Sequence, residues 1–138
     1  IIHNKPIDIY NNGDMYRDFT YVDDLVRGIR LLIDSIPEFS TDKKMSENDS
    51  LSPVAPYRVV NIGNSNTVSL LDFIEAIEKI LNKKAIRNYM PMQKGDVKAT
   101  WADGSLLKNL TEYSPKTNFM DGVSLFIEWY CEYYNVKI

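Results

Sequence analysis

Residues 8–24 read Asp8-Ile9-Tyr10-Asn11-Asn12-Gly13-Asp14-Met15-Tyr16-Arg17-Asp18-Phe19-Thr20-Tyr21-Val22-Asp23-Asp24. With Ile7, the start alternates and is β-branched, so Ile7 to Tyr10 is expected as a strand. Asn11-Asn12-Gly13-Asp14 is turn chemistry. Thr20-Tyr21-Val22-Asp23 spells a capping box, which predicts a helix start. A strand, a turn, one arginine among aromatics and a capped helix give the chain an α/β beginning. Arg17 offers a planar fork of donors suited to phosphate oxygens. An ion pair with Asp14 or Asp18 is the commoner role for such an arginine.

Outward from there, Val22, Leu25, Val26, Ile29, Leu32, Ile33 and Ile36 form an i, i+3, i+4, i+7 stripe, the mark of a helix with one buried face. Asp23 and Asp24 fall in its first turn, where carboxylates suit the helix dipole. Gly28 inside it costs about 1 kcal/mol relative to Ala and implies a close packing contact. Residues 37–56 hold three prolines, four serines and no periodicity. They are expected as a mobile loop, long enough to be an insertion or functional. Asn48-Asp49-Ser50 is a glycosylation sequon in spelling only. Tyr57 to Ile62 is apolar enough for a strand buried on both faces. Ser69-Leu70-Leu71-Asp72 is a second capping box. Its helix is expected to bury Leu70, Ile74, Ile77 and Leu81 and to pair Glu75 with Lys79 outside. Ala85 to Met90 reads as a third strand. A short helix follows from Ala102-Asp103 to Leu110, with Asp103 as cap. The last helix, about Phe119 to Tyr134, carries Val123, Phe126, Tyr130 and Tyr133 as its core face.

The 138 residues leave room for one domain. No apolar run reaches the length of a membrane span, and no signal peptide is visible. One cysteine, Cys131, excludes an intramolecular disulfide, and one histidine, His3, argues against a His-based metal site or triad. A net charge of −3 argues against general nucleic-acid binding. The charge is unevenly spread. Lys83, Lys84, Arg87, Lys94 and Lys98 face one acid, Asp96, so residues 83–98 carry +4 and the remainder −7. That suits a small anionic ligand, or a solvated basic face. The chain begins Ile1-Ile2-His3-Asn4-Lys5 and reads as a cut through a longer protein.

The glycines at 13, 28, 63, 95, 104 and 122 are isolated, so no phosphate-cradling loop is present and NAD is not expected to bind this chain by itself. Tyr133 and Lys137 have a Y-x-x-x-K spacing, but at a chain end without a cofactor site. Two ligand elements remain. One is Arg17. The other is the loop of Gln93 and Asp96, where a carboxylate can accept hydrogen bonds from a ribose diol, or be neutralised by Lys94 or Lys98.

The motif from Ile7-Asp8-Ile9-Tyr10 through Arg17-Asp18-Phe19-Thr20-Tyr21-Val22-Asp23-Asp24 resembles the C-terminal part of the extended short-chain dehydrogenase/reductase (SDR) sugar-nucleotide enzymes. So do Val60-Asn61-Ile62-Gly63-Asn64, Gln93-Lys94-Gly95-Asp96-Val97 and Thr100-Trp101-Ala102-Asp103. The likeness spans nearly the whole chain outside 37–56 and is greatest to UDP-glucuronate 4-epimerases. It implies a small α/β C-terminal substrate-binding domain over 1–138, with a few short strands and about four helices. The N-terminal Rossmann domain, which in that family holds NAD, the glycine-rich motif and the Ser/Thr–Tyr–Lys set, is absent. By position, Arg17 would contact the UDP pyrophosphate and Asp96 the ribose, while Ile9 and Tyr10 line the uracil, partly through backbone groups. Gln93 stands where galactose epimerases usually carry a second pyrophosphate arginine, a departure that fits the glucuronate subgroup. Asn61-Ile62-Gly63 would finish a strand of the missing Rossmann sheet.

The resemblance thus implies the UDP-sugar-binding portion of an NAD-dependent epimerase that interconverts UDP-glucuronate and UDP-galacturonate. The chain alone is expected to be inactive, the parent cytoplasmic, and an exposed strand edge to favour a homodimer. Other epimerases, dehydratases or decarboxylases of the same scaffold are the near alternative. A free-standing, non-catalytic interaction module is the distant one.

Overall fold

A computed structural model describes residues 1–38 and 49–137. In chain order the elements are β1 (Ile7–Ile9), a single 3-10 turn (Tyr10–Gly13), β2 (Tyr16–Asp18), α1 (Val22–Ile33), β3 (Thr67–Ser69), α2 (Leu70–Leu81), β4 (Arg87–Tyr89), α3 (Ser105–Thr111) and α4 (Phe119–Tyr133). Among the described residues, four helices and a few short strands make the small α/β arrangement that was expected. The chain divides into two compact units, one of Ile1–Phe19, Thr67–Trp101 and Asn118–Ile138, the other of Thr20–Asn66 and Ala102–Thr117.

In the first unit β1 pairs with β4 in parallel, Ile7 beside Arg87 and Ile9 beside Tyr89. β2 pairs antiparallel with β3, Arg17 beside Val68. A parallel bridge joins Tyr16 to Ala99. Between β1 and β2 the backbone is left-handed at Asn11 (φ 50°), Asn12 (φ 51°) and Gly13 (φ 87°). Asn and Gly are the residues that tolerate this region. A Cβ on Gly13 would lie 2.7 Å from the Leu71 side chain, so this turn is closed against α2.

The Ser69 box forms on its hydroxyl side, with Ser69 Oγ accepting from Asp72 N at 3.0 Å. α2 packs on α4 through Ala76, Leu81, Val123 and Ile127, and Phe19, Phe73 and Phe119 cluster beside them. Glu78, on α2, is buried. It accepts from Lys84 Nζ (2.7 Å), Ala85 N (2.9 Å) and Arg87 Nη2 (3.0 Å), which fastens the helix end to β4. The hydrogen bonds from Lys84 and Ala85, with Arg87, hold its carboxyl down to about 2.

In the second unit α1 faces α3. Gly28 makes the expected close contact: a Cβ there would stand 3.4 Å from Ile62 and 3.7 Å from Leu107. Asp24 is buried. It accepts from Tyr113 Oη (2.8 Å), Lys116 N (3.2 Å) and Thr117 N (2.8 Å). Burial pushes its carboxyl up, but the bonds from Thr117, Tyr113 and Lys116 outweigh this and hold it below the usual range. Burial and the same carboxylate push the Tyr113 hydroxyl up to about 12. Arg27 lies over the Tyr113 ring, 5.0 Å from its centre.

Several expectations are corrected. The α1 N-cap is Tyr21, without a side-chain cap bond, so the Thr20 box does not form. Asp24 binds the segment 113–117 instead of capping its own helix. The α1 stripe is largely exposed, with Val26 at 57% and Ile33 at 65%, because nothing among the described residues covers it. Tyr57 to Ile62 is neither a strand nor buried on both faces. It finds no strand partner among the described residues, and Val59 bonds to Ser50 Oγ through both its N–H and its carbonyl. In α4 the core face is Val123 and Ile127, while Phe126 and Tyr133 are exposed. Asp103 acts one residue before the N-cap Gly104, accepting from Ser105 N at 2.9 Å. Glu75 lies 4.0 Å from Arg87, and no ion pair with Lys79 occurs among the described residues. Of the expected loop 37–56, residues 39–48, with the sequon's Asn48, lie outside the described residues. Its far end is held, since Arg58 clamps Asp49 with bonds of 2.8 and 3.0 Å.

Two predictions follow the buried carboxylates. Asp24→Ala strips three donors of their acceptor and should cost about 1–3 kcal/mol in urea unfolding at neutral pH. Glu78→Gln should lower the thermal midpoint at pH 7. Glu78 titrates near 2 in the fold against an ordinary 4.5, so its contribution is complete above about pH 4.5 and fades as pH falls toward 2. The gap between wild type and Glu78→Gln should therefore close over that window.

Candidate functional site

The first unit gathers the sequence-predicted site residues. β2 is pinned on both edges. Tyr16 N donates to the Lys98 carbonyl (2.9 Å), Thr100 N donates to the Tyr16 carbonyl (3.2 Å), and β3 lies on the other side. Arg17 thus enters beside the segment 96–100. Its Nη1 donates to the Tyr16 carbonyl at 2.8 Å and the Lys98 carbonyl at 3.3 Å, and its Nη2 to Asp96 Oδ1 at 2.9 Å. Three acceptors fix the guanidinium plane while 28% of the side chain stays exposed. An arginine held in this way is pre-organised, so less conformational freedom is lost when an anion binds.

Asp96 sits at the end of a tight turn. Its N–H donates to the Gln93 carbonyl at 3.3 Å, and its Oδ1 also accepts from Val97 N at 2.8 Å. Gly95 supplies the left-handed residue of that turn, with φ 84° and open space around it. Arg17, Gln93 and Asp96 are therefore brought together. Ile9 and Tyr10 lie at the end of β1, where Met90 N donates to the Ile9 carbonyl at 2.9 Å. Ile9 is a fully enclosed core residue and Tyr10 is half-buried.

Arg17 pairs with Asp96 and not with Asp14. Asp14 instead accepts from Lys98 Nζ at 2.6 Å, and this bond pushes the Lys98 ammonium up. Sequence reading missed this second pair. No local spacing signals it, because Asp14 and Lys98 stand far apart in the chain.

Among the described residues, no group of three or more His, Cys, Asp or Glu could hold a metal ion. Three of the glycines are closed in by neighbouring atoms. The space a Cβ would take is filled by Leu71 at Gly13, approached by Ile62 and Leu107 at Gly28, and bordered by Ser65 and Gly63 at Gly104. These glycines serve internal packing, whereas a phosphate loop needs them free to meet a ligand. What the cluster can do is bind: a planar cation for phosphate oxygens next to a carboxylate for hydroxyls. No helix among the described residues is long and apolar enough to cross a membrane.

Residues 1–63 match the model of the NAD-dependent epimerase/dehydratase family. The chain is 44% identical over 134 residues to Protein CapI of Staphylococcus aureus, covering 97% of this chain and 40% of that protein. It is 45% identical over 136 residues to a probable UDP-glucuronate 4-epimerase of Rhizobium meliloti, covering 96% and 40%. Among solved structures it resembles the UDP-glucuronic acid 4-epimerase of Bacillus cereus in complex with UDP-glucuronic acid and NAD. That likeness has a TM-score of 0.74 and 32% identity, over 96% of this chain and 37% of the other. The chain spans about two-fifths of the length of the curated relatives it matches.

A double-mutant cycle of Arg17→Ala and Asp96→Ala on unfolding should give a coupling below about 1 kcal/mol, the range of part-exposed ion pairs. A coupling of several kcal/mol would make the pair a structural brace and not a ligand seat.

Proposed function

We propose that the chain is the UDP-sugar-binding portion of a UDP-glucuronate 4-epimerase, a member of the NAD-dependent epimerase/dehydratase family whose model matches residues 1–63. The reaction would interconvert UDP-glucuronate and UDP-galacturonate. The observation that carries this reading is the meeting of Arg17 with Asp96 at 2.9 Å. These residues lie 79 positions apart, and each is suited to one part of a nucleotide handle. The names of the relatives in Rhizobium meliloti and Bacillus cereus support the choice of sugar.

In this reading Arg17 takes a pyrophosphate oxygen and Asp96 accepts from the ribose diol. Tyr10 lines the uracil beside the backbone of Ile9, and Gln93 supplies a neutral donor at the rim. NAD belongs to the parent enzyme. In this reading no step of the hydride chemistry is carried by these residues. The chain's work is to hold the handle, so that binding energy from phosphate and base positions the distant sugar carbon. A cytoplasmic protein, possessing its own Rossmann domain and acting as a homodimer, completes the proposal.

The test is an assay of the full-length protein with UDP-glucuronate and NAD. Formation of UDP-galacturonate is expected, and its absence would sink the choice of substrate. Arg17→Ala should raise KM by a factor of roughly ten to a hundred, given about 1.5–3 kcal/mol for a charged hydrogen bond. Unchanged KM and kcat would remove Arg17 from the site. Residues 1–138 alone should turn over no substrate and bind UDP only weakly.

A further inference from the structure

The site contains a second cation beside Arg17. The Lys98 carbonyl accepts from Arg17 Nη1, so the stem of Lys98 starts next to the guanidinium. Its ammonium is part-exposed. It turns to Asp14, three residues before Arg17, and stops 2.6 Å from Oδ2. Each cation thus has its own carboxylate, Asp96 for Arg17 and Asp14 for Lys98, and the Lys98 backbone touches the guanidinium.

A nucleoside diphosphate brings more than one negative charge, and one guanidinium already shared with Asp96 neutralises it incompletely. The Lys98–Asp14 pair is open to exchange. Lys98 is 59% exposed and Asp14 54%, and a pair so exposed adds little to stability. A lysine is well suited to the swap, because its ammonium is a compact charge on a flexible stem.

Resting on the nucleotide-sugar reading above, we propose that Lys98 is a second cation of this seat. It leaves Asp14 for one phosphate oxygen of a nucleoside diphosphate while Arg17 holds another. Asp14 then acts as a stand-in anion that keeps Lys98 folded onto the site when no ligand is bound. Lys94 lies in the same loop and is exposed. It has no ion pair to β2 or the turn before it among the described residues, so it serves as the control for charge alone.

The experiment is calorimetric titration of the full-length protein with UDP and with uridine. Lys98→Met should weaken UDP about fivefold, the effect of losing one exposed charge contact, and leave uridine unchanged. Lys98→Arg should restore UDP binding. Asp14→Asn, which removes the competitor, should tighten UDP and not uridine. The inference fails if Lys98→Met weakens UDP no more than Lys94→Met does, or if uridine is weakened equally. A loss with Arg17→Ala but none with Lys98→Met removes only the role of Lys98. No loss with Arg17→Ala removes the nucleotide reading itself.

Discussion

The parallel pairing of β1 with β4 is the constraint on which the first unit depends. Parallel neighbours cannot be joined by a tight turn, so a long excursion must separate them. Here Ile9 meets Tyr89, 80 residues later. Once that register is set, the loop after β4 has to return beside the turn after β1. Asn12 N and Met90 N close the two ends onto each other's carbonyl partners, Met90 and Ile9. The bridge of Tyr16 to Ala99 then places Arg17 against Asp96. Glu78 secures the same register from the α2 side, since its carboxylate holds Ala85 N and Arg87 at the entrance to β4. A three-residue strand pair is weak alone, and it is the buried carboxylate and the packing of Ile9 that keep it in place.

Helices were the legible part of this sequence. The Ser69 box and the apolar spacing from Leu70 to Leu81 correspond to α2, whose C-cap is left-handed at Asn82. Asn11-Asn12-Gly13 was also legible, because few other residues accept successive left-handed conformations. β2 and β3 were not. Three residues are too few to show a period of two, and Tyr16-Arg17-Asp18 contains two charged side chains that read as loop. Asp24 was misread for another reason. Its place in the first turn of α1 satisfies a local rule, but its partners come from 89 to 93 residues away. Local spacing cannot reveal a carboxylate chosen for a distant tyrosine.

The α1 stripe shows how far periodicity reaches. Spacing at i, i+3 and i+4 records that a helix face is built for burial, and it is silent on what buries it. Gly28 and Asp24, which break the stripe, are the α1 residues that are buried, while Val22, Val26, Ile29 and Ile33 are exposed. The same holds at Val59, in a segment whose composition is that of a buried strand. An apolar pattern and an exposed surface together mean that the sequence encodes contacts wider than the described residues supply.

The basic run from Lys83 to Lys98 carries the same lesson for charge. Counted along the chain it is a +4 field. In space most of it is already answered. Lys83 donates to the Ile2 carbonyl, Lys84 and Arg87 share Glu78, and Lys98 meets Asp14. The neutralising acids, Glu78 and Asp14, both lie outside the run, which is why a sliding count misses them. The cations of residues 83–87 are therefore fold-holding groups clustered around α2 and β4. What is left to meet an anionic ligand in the proposed reading is narrower: the fixed guanidinium of Arg17 and the part-exposed ammonium of Lys98. A site of that size suits the small phosphate group of the proposed reading better than a polyanion, since a polymer needs a continuous row of free cations. The net charge of −3 over the whole chain points the same way, because it repels an extended polyanion while leaving a short-range, two-point contact intact.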